Sequence, residues 1–201
     1  RLVSGFLTVG GWTLVSRVMG FLREILILAL IGPGPLLDAF VAAFRLPNLF
    51  RRFLAEGAFN AAFVPMYAKR AEAGADADDF AREAFGGLSA VVLVLVALGM
   101  VFMPALVWAT AEGFRGDERF DLAVGFGRIV FPYILFMSLA ALFSGVLNAN
   151  GRFAAAAAAP VLLNIFAIGA MTLGALTGGA VITWLLWAIP LAGAAQLALV
   201  W

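Results

Sequence analysis

Arg17, Arg23, Arg45, Arg51 and Arg52 stand inside stretches that otherwise read as membrane-spanning. An ionised side chain near the bilayer centre costs from about 2.5 to well over 10 kcal/mol, so such residues face a water-filled cavity or a charged partner. A guanidinium stays protonated and donates paired hydrogen bonds to phosphate or carboxylate oxygens. Against Glu24, Asp38 and Glu56, the five arginines leave a surplus of two positive charges. That surplus suits a diphosphate or a similar anion. The three acids would hold the arginines apart and pair with them when no anion is bound. Two structural alternatives stand beside this reading. Arg51 and Arg52 also fit a helix end from which they snorkel to headgroups, and Arg23–Glu24 also fits a purely structural ion pair.

The elements that carry these residues read as helices. At about 100° per residue, Asp38, Arg45 and Arg52 fall within about 40° of one another, and Asn48 and Glu56 join the sector. Thr13, Arg17, Gly20 and Glu24 share a face of the preceding helix, with Arg23 beside it. Each helix thus has one polar stripe, and turning both stripes inward leaves the apolar faces to lipid. Glycines at 5, 10, 11 and 20 would let the first helix bend.

Composition fixes the class. Of 201 residues, 64% are hydrophobic and 12% charged, and mean hydropathy is +1.05. Soluble domains hold about 45–50% apolar and about 25% charged residues. The chain reads as an all-α polytopic membrane protein, a six-helix transmembrane bundle. Spans are expected at about 3–31, 37–67, 85–110, 122–147, 153–173 and 180–201. Pro47 and Pro65 predict a kink or local break in the second. Without Cys or His, this chain has no disulfide, thiol catalysis or His-based metal site, and no cofactor is expected. No signal peptide is expected either. Basic residues number five on the N-terminal side (Arg1, Lys69, Arg70, Arg82, Arg152) and two opposite (Arg115, Arg119). This places the N-terminus in the cytoplasm. A chain that starts at Arg1 without Met and stops at Trp201 within an apolar run is expected to be part of a longer protein.

Three smaller features have plain readings. The run Ala154–Ala159 predicts a closely packed helix face. Asp76–Asp79 reads as a solvated loop capping a surface helix, with a metal-binding acidic cluster as the alternative. Asn164 reads as a polar tie to a neighbouring helix or as part of a cavity wall.

These residues lie in segments that resemble the MurJ (MviN) lipid II flippases of the multidrug/oligosaccharidyl-lipid/polysaccharide exporter superfamily. The resemblance is carried by 16–24 (SRVMGFLRE), Asp38-Ala39-Phe40, Phe44-Arg45-Leu46-Pro47-Asn48, Arg51-Arg52, Ala55-Glu56-Gly57-Ala58-Phe59 and Ala62-Phe63-Val64-Pro65. It continues through Phe131-Pro132-Tyr133-Ile134-Leu135, Leu147-Asn148 to Arg152-Phe153, and Pro160 to Leu163-Asn164. It implies a two-lobed exporter of about fourteen helices, of which residues 1–201 would be the N-terminal lobe, with the second, C-terminal lobe absent. It implies alternating access that moves lipid II, an undecaprenyl-diphosphate-linked disaccharide-pentapeptide, from the cytoplasmic to the periplasmic leaflet of the bacterial inner membrane. The implied roles are peptidoglycan synthesis and cell shape. The implied partners are lipid II, membrane lipids and the missing lobe, with no nucleic acid. The implied substrate-binding residues are Arg17, Arg23, Asp38, Arg45, Asn48, Arg51 and Arg52. Arg23 and Glu24 would form a gate ion pair, with Glu where Asp is common. Three alternatives remain at this point. The chain could export another polyprenyl-linked glycan or an organic cation, although a cation exporter would favour acidic cavity residues. It could be a membrane enzyme acting on polyprenyl phosphates, for which Asp76–Asp79 is the sole metal-site candidate. It could be a scaffold for cell-wall assembly.

Overall fold

The structure is a computed structural model describing residues 2–54, 58–74 and 76–201, with side chains described except at 2–8, 52–54 and 58–60. Arg1, Glu56 and the Arg52 side chain lie outside the described residues. The described residues are helical with no strand. They form α1 (Leu2–Leu30), α2 (Pro35–Leu54), α3 (Ala58–Glu72), α4 (Ala77–Val101), α5 (Met103–Thr110), α6 (Glu118–Val130), α7 (Tyr133–Ala149), α8 (Phe153–Leu176) and α9 (Val181–Val200). A 3-10 turn, Glu112–Phe114, precedes α6. Among the described residues four helical stretches are long and apolar enough to cross a membrane: α4, α6 with α7, α8 and α9. The chain is a multi-pass membrane protein.

Glycine at positive φ serves the tight connections. Gly32 (φ 74°) and Gly34 (φ 153°) flank Pro33 between α1 and α2, a backbone that side chains with a Cβ resist. Pro35 then opens α2 at the one helical position where its missing N–H is not needed. After α7, Gly151 (φ 73°) lets Arg152 N–H donate to Leu147 O at 2.8 Å, closing the helix end. Two contacts place the connections. Arg119 meets Asp38, so the 31–34 and 111–117 connections lie together. Asn150 Nδ2 donates to Tyr67 Oη at 3.2 Å, so the second half of α3 lies against the 150–152 connection.

Pro47 and Pro65 sit inside α2 and α3, the two helices into which the expected second span divides. Two other expected spans divide as well. The run 85–110 divides at Phe102, just before Pro104, and the run 122–147 divides at Phe131-Pro132. These two breaks lock into each other. The Phe131 ring lies on Gly99, where an added Cβ would overlap it, and Met103 lies on Gly127, whose Cβ would sit 2.6 Å from its sulfur. Pro104 cannot donate to the carbonyl four residues earlier, Met100. Arg128 Nε supplies the donor from α6 at 3.1 Å. Phe131, Met103, Leu46, Val92, Ile134 and Leu142 form the largest core cluster, between α2 and α7. A second cluster joins Ile27, Phe40, Val130, Met171, Leu185 and Ile189.

The alanine run is only partly enclosed: Ala159 is buried, while Ala154 is exposed. Asp76 stands at the head of α4 without a side-chain cap bond. Its carboxylate accepts from Arg70 at 3.2 Å instead.

Gly99→Val forces the Phe131 ring to move, and overpacking of this kind costs about 1–3 kcal/mol. Thermal unfolding in detergent should therefore shift down for Gly99→Val. It should shift little for Gly125→Ala, whose added Cβ meets nothing within 4 Å.

Candidate functional site

The first arginine stripe is anchored by one amide. α1 packs along α8, and Asn164 of α8 is 4% exposed. Its Oδ1 accepts from Arg23 Nη1 at 3.0 Å, while its Nδ2 donates to the Ser16 carbonyl at 3.0 Å. Arg23 Nη2 meets Glu24 Oε1 at 2.7 Å. The guanidinium is thus shared between a buried amide and an exposed carboxylate. Beside it, Ile27, Phe40, Phe44, Leu163 and Leu185 line a cavity of about 20 Å³, room for about one water. The Asn164 reading as an interhelical tie is what the geometry contains.

The two polar stripes do not enclose a chamber between themselves. α1's neighbour is α8, and α2 packs along α6. The reason is side-chain size: α2 buries Ala39, Ala43 and Leu46, and α6 buries Ala123, Gly127 and Val130. Small faces let helices approach closely. The opposite face of α2 keeps Asp38 and Arg45 exposed, as α1 keeps Arg17 and Glu24. Leu14, Val18 and Phe21 are exposed alongside Arg17. Asp38 and Arg45 on α2 and Arg17 and Glu24 on α1 therefore lie on the surface of this chain.

Further along α2, Asn48 and Arg51 are half-buried. Arg51 borders a cavity of about 360 Å³ shared with Ser144, Asn148 and Gln196. Gln196 is 1% exposed. It accepts from Tyr133 Oη at 3.3 Å and donates to Ala159 O at 2.9 Å, tying α7, α8 and α9 together. Arg23 and Arg51 border different cavities. Arg17 and Arg45 stand apart on exposed surface.

Asp38 sits at the other end of α2 in an ion pair with Arg119 Nη1, at 3.2 Å. Arg119 also donates from Nε to Asp117 Oδ2 at 2.6 Å. These hydrogen bonds hold the Asp117 carboxyl below the usual carboxylate range. Arg119 and Arg128 are the functional-looking residues that sequence reasoning missed. Arg119 was counted only for orientation, and the arginine within the fourth apolar run was itself the signal for Arg128. Gln196 and Ser144 carried weaker signals, as isolated polar residues in apolar spans. Among the described residues no cluster of acids could hold a metal ion.

A family model described as lipid II flippase MurJ matches residues 27–200. A probable lipid II flippase MurJ of Rhizobium tropici is 49% identical over 100% of this chain and 39% of its own length. A lipid II flippase MurJ of Burkholderia cenocepacia is 46% identical over 85% of this chain and 34% of its own. The chain thus spans about two fifths or less of the curated relatives it matches. Among solved structures, lipid II flippase MurJ in an inward closed conformation superposes with a TM-score of 0.75 at 28% identity, covering 95% of this chain and 41% of that one.

Asn164→Leu removes both bonds to α1 and leaves the Arg23 guanidinium short of an acceptor, at a cost of about 1–3 kcal/mol. The melting temperature should fall clearly below that of Thr172→Val, which removes only an exposed intrahelical hydroxyl bond. Asp117 has a depressed folded value, so the stability it adds is present above its unfolded value near 3.8 and is lost as pH falls through the folded one. Asp117→Asn should lower the neutral region of a stability–pH curve and leave its acid end in place, so that the acid limb flattens.

Proposed function

This chain belongs to the MurJ family of lipid II flippases, and from that premise we propose that it is the N-terminal transmembrane lobe of a two-lobed exporter. Its six spans would comprise α1, α2 with α3, α4 with α5, α6 with α7, α8 and α9. The cargo is lipid II, carried from the cytoplasmic to the periplasmic leaflet of the bacterial inner membrane. The process relocates the lipid and breaks no bond in it. The N-terminus faces the cytoplasm.

The observation that carries this reading is the surface placement of Arg17 on α1 and Arg45 on α2, with Arg23 of α1 anchored to Asn164. Guanidiniums on an apolar surface need water, an anion or a second protein surface. A facing C-terminal lobe would turn the exposed faces of α1 and α2 into the wall of a hydrated cavity. Arg17, Arg23, Arg45, Arg51 and Arg52 would receive the diphosphate through charge-assisted bonds. Asn48 would add neutral hydrogen bonds to the headgroup. The Arg23–Glu24 pair would act as a gate, with Glu24 releasing the guanidinium as phosphate oxygens replace the carboxylate. Asp38 belongs to the same face by sequence and contributes through its charge. The polyprenyl tail would stay in lipid throughout.

The test is complementation with the full-length gene in a strain depleted of its own flippase, measuring the lipid II that becomes accessible at the periplasmic face. Arg17→Ala and Arg23→Ala should each lower export by about tenfold or more, since a hydrogen bond to a charged group contributes roughly 1.5–3 kcal/mol. Arg17→Lys should keep part of the activity, retaining charge without the planar fork. Wild-type export from both alanine variants would remove these residues from the site. A full-length protein that leaves lipid II topology unchanged would refute the function itself.

A further inference from the structure

We propose that Arg119 is a positioning residue for the transport reaction, and that Asp38 acts through it and makes no contact with the cargo. The inference rests on the flippase reading above. Asp38 and Arg119 are 81 positions apart in sequence, on α2 and α6. Their ion pair ties the first turn of one helix to the first turn of the other.

Arg119 is oriented before it reaches Asp38. Asp117 accepts from its backbone N–H at 3.2 Å and from its Nε at 2.6 Å. Its guanidinium carbon lies 4.7 Å from the centre of the Phe114 ring, a cation–π contact. All these contacts come from residues 114–119. Among the described residues Asp38 is the one partner from another helix, so the loop before α6 presents a fixed cation to the head of α2.

Charge makes the substrate-contact role for Asp38 unfavourable. A carboxylate beside a diphosphate repels it, at a cost that grows as water is excluded. Paired with Arg119 at 3.2 Å, the same carboxylate has part of its charge offset, although Arg119 also serves Asp117. The pairing also sets register. The α2–α6 seam draws on the buried Ala39, Ala43 and Ala123, small residues that interlock weakly. The ion pair at the end of the seam fixes how far α2 slides along α6. That sliding would carry Arg45, Asn48 and Arg51 with it.

The experiment uses the full-length chain with Asp38→Asn, Arg119→Gln, Arg119→Lys and the double variant Asp38→Asn/Arg119→Gln. Both neutralising single variants should lower export by a similar factor, about fivefold, the scale of an exposed ion pair. The double should be no worse than either single. Lipid II retention by the purified variants, read by native mass spectrometry, should stay at the wild-type level. Arg119→Lys should keep most export. The proposal is overturned if Asp38→Asn loses export while Arg119→Gln keeps it, if the double equals the product of the singles, or if Asp38→Asn alone changes lipid II retention. A thermal double-mutant cycle separates the clasp from the function. If the wild-type protein exports no lipid II, the flippase reading fails. The clasp then stands or falls on whether the two melting shifts overlap or add.

Discussion

An arginine within an apolar helix must be given a partner or water, and the helix packing of this chain is arranged around that demand. Arg23 is held by Asn164 and Glu24. Arg119 is held by Asp117 and Asp38, and Arg128 by a main-chain carbonyl that Pro104 has left without its helical donor. Asn164, Asp38 and the Met100 carbonyl each lie in another helix from the arginine they meet, so these contacts also fix which helix lies beside which. Arg17 and Arg45 are met by exposure. The exposed guanidiniums lie on the face proposed to meet the cargo.

Small residues supply the geometry in which those bonds can form. Gly99 and Gly127 admit Phe131 and Met103 where the two broken spans cross. Gly193 admits Tyr133, whose ring would lie 2.7 Å from an added Cβ, and thereby brings Tyr133 to Gln196. Without hydrophobic exclusion from water to drive helices together in lipid, close approach and interhelical hydrogen bonds carry the association. The polar ties of α8 and α9 serve packing and at the same time border the cavity next to Arg51.

Helical character and membrane class were legible in the sequence because they follow from local period and composition. Asp38 and Arg45 share an exposed face as their spacing implies. Helix breaks were less legible. Pro47 and Pro65 sit inside α2 and α3, whereas helices end at Phe102 and at Phe131-Pro132, where Arg128 meets the carbonyl freed by Pro104 and Gly99 and Gly127 admit the side chains at the bends. The partners of the arginines could not be read locally. Asn164 lies 141 residues from Arg23, and Arg119 lies in a loop-flanked first turn that composition alone assigns to the surface. Nor did the stripes reveal that α1 would rest on α8 and α2 on α6, since that choice depends on small faces complementing each other across the chain.

The central claim is that the arginine faces of α1 and α2 line a water-filled space for a phosphorylated lipid. Single cysteines at positions 17 and 45 of the full-length protein, in intact membranes, test it most directly with a charged, water-soluble thiol reagent. The account predicts rapid modification at both positions and protection of both by added lipid II. Resistance to the charged reagent together with modification by a lipid-soluble one would place these side chains among acyl chains and contradict it.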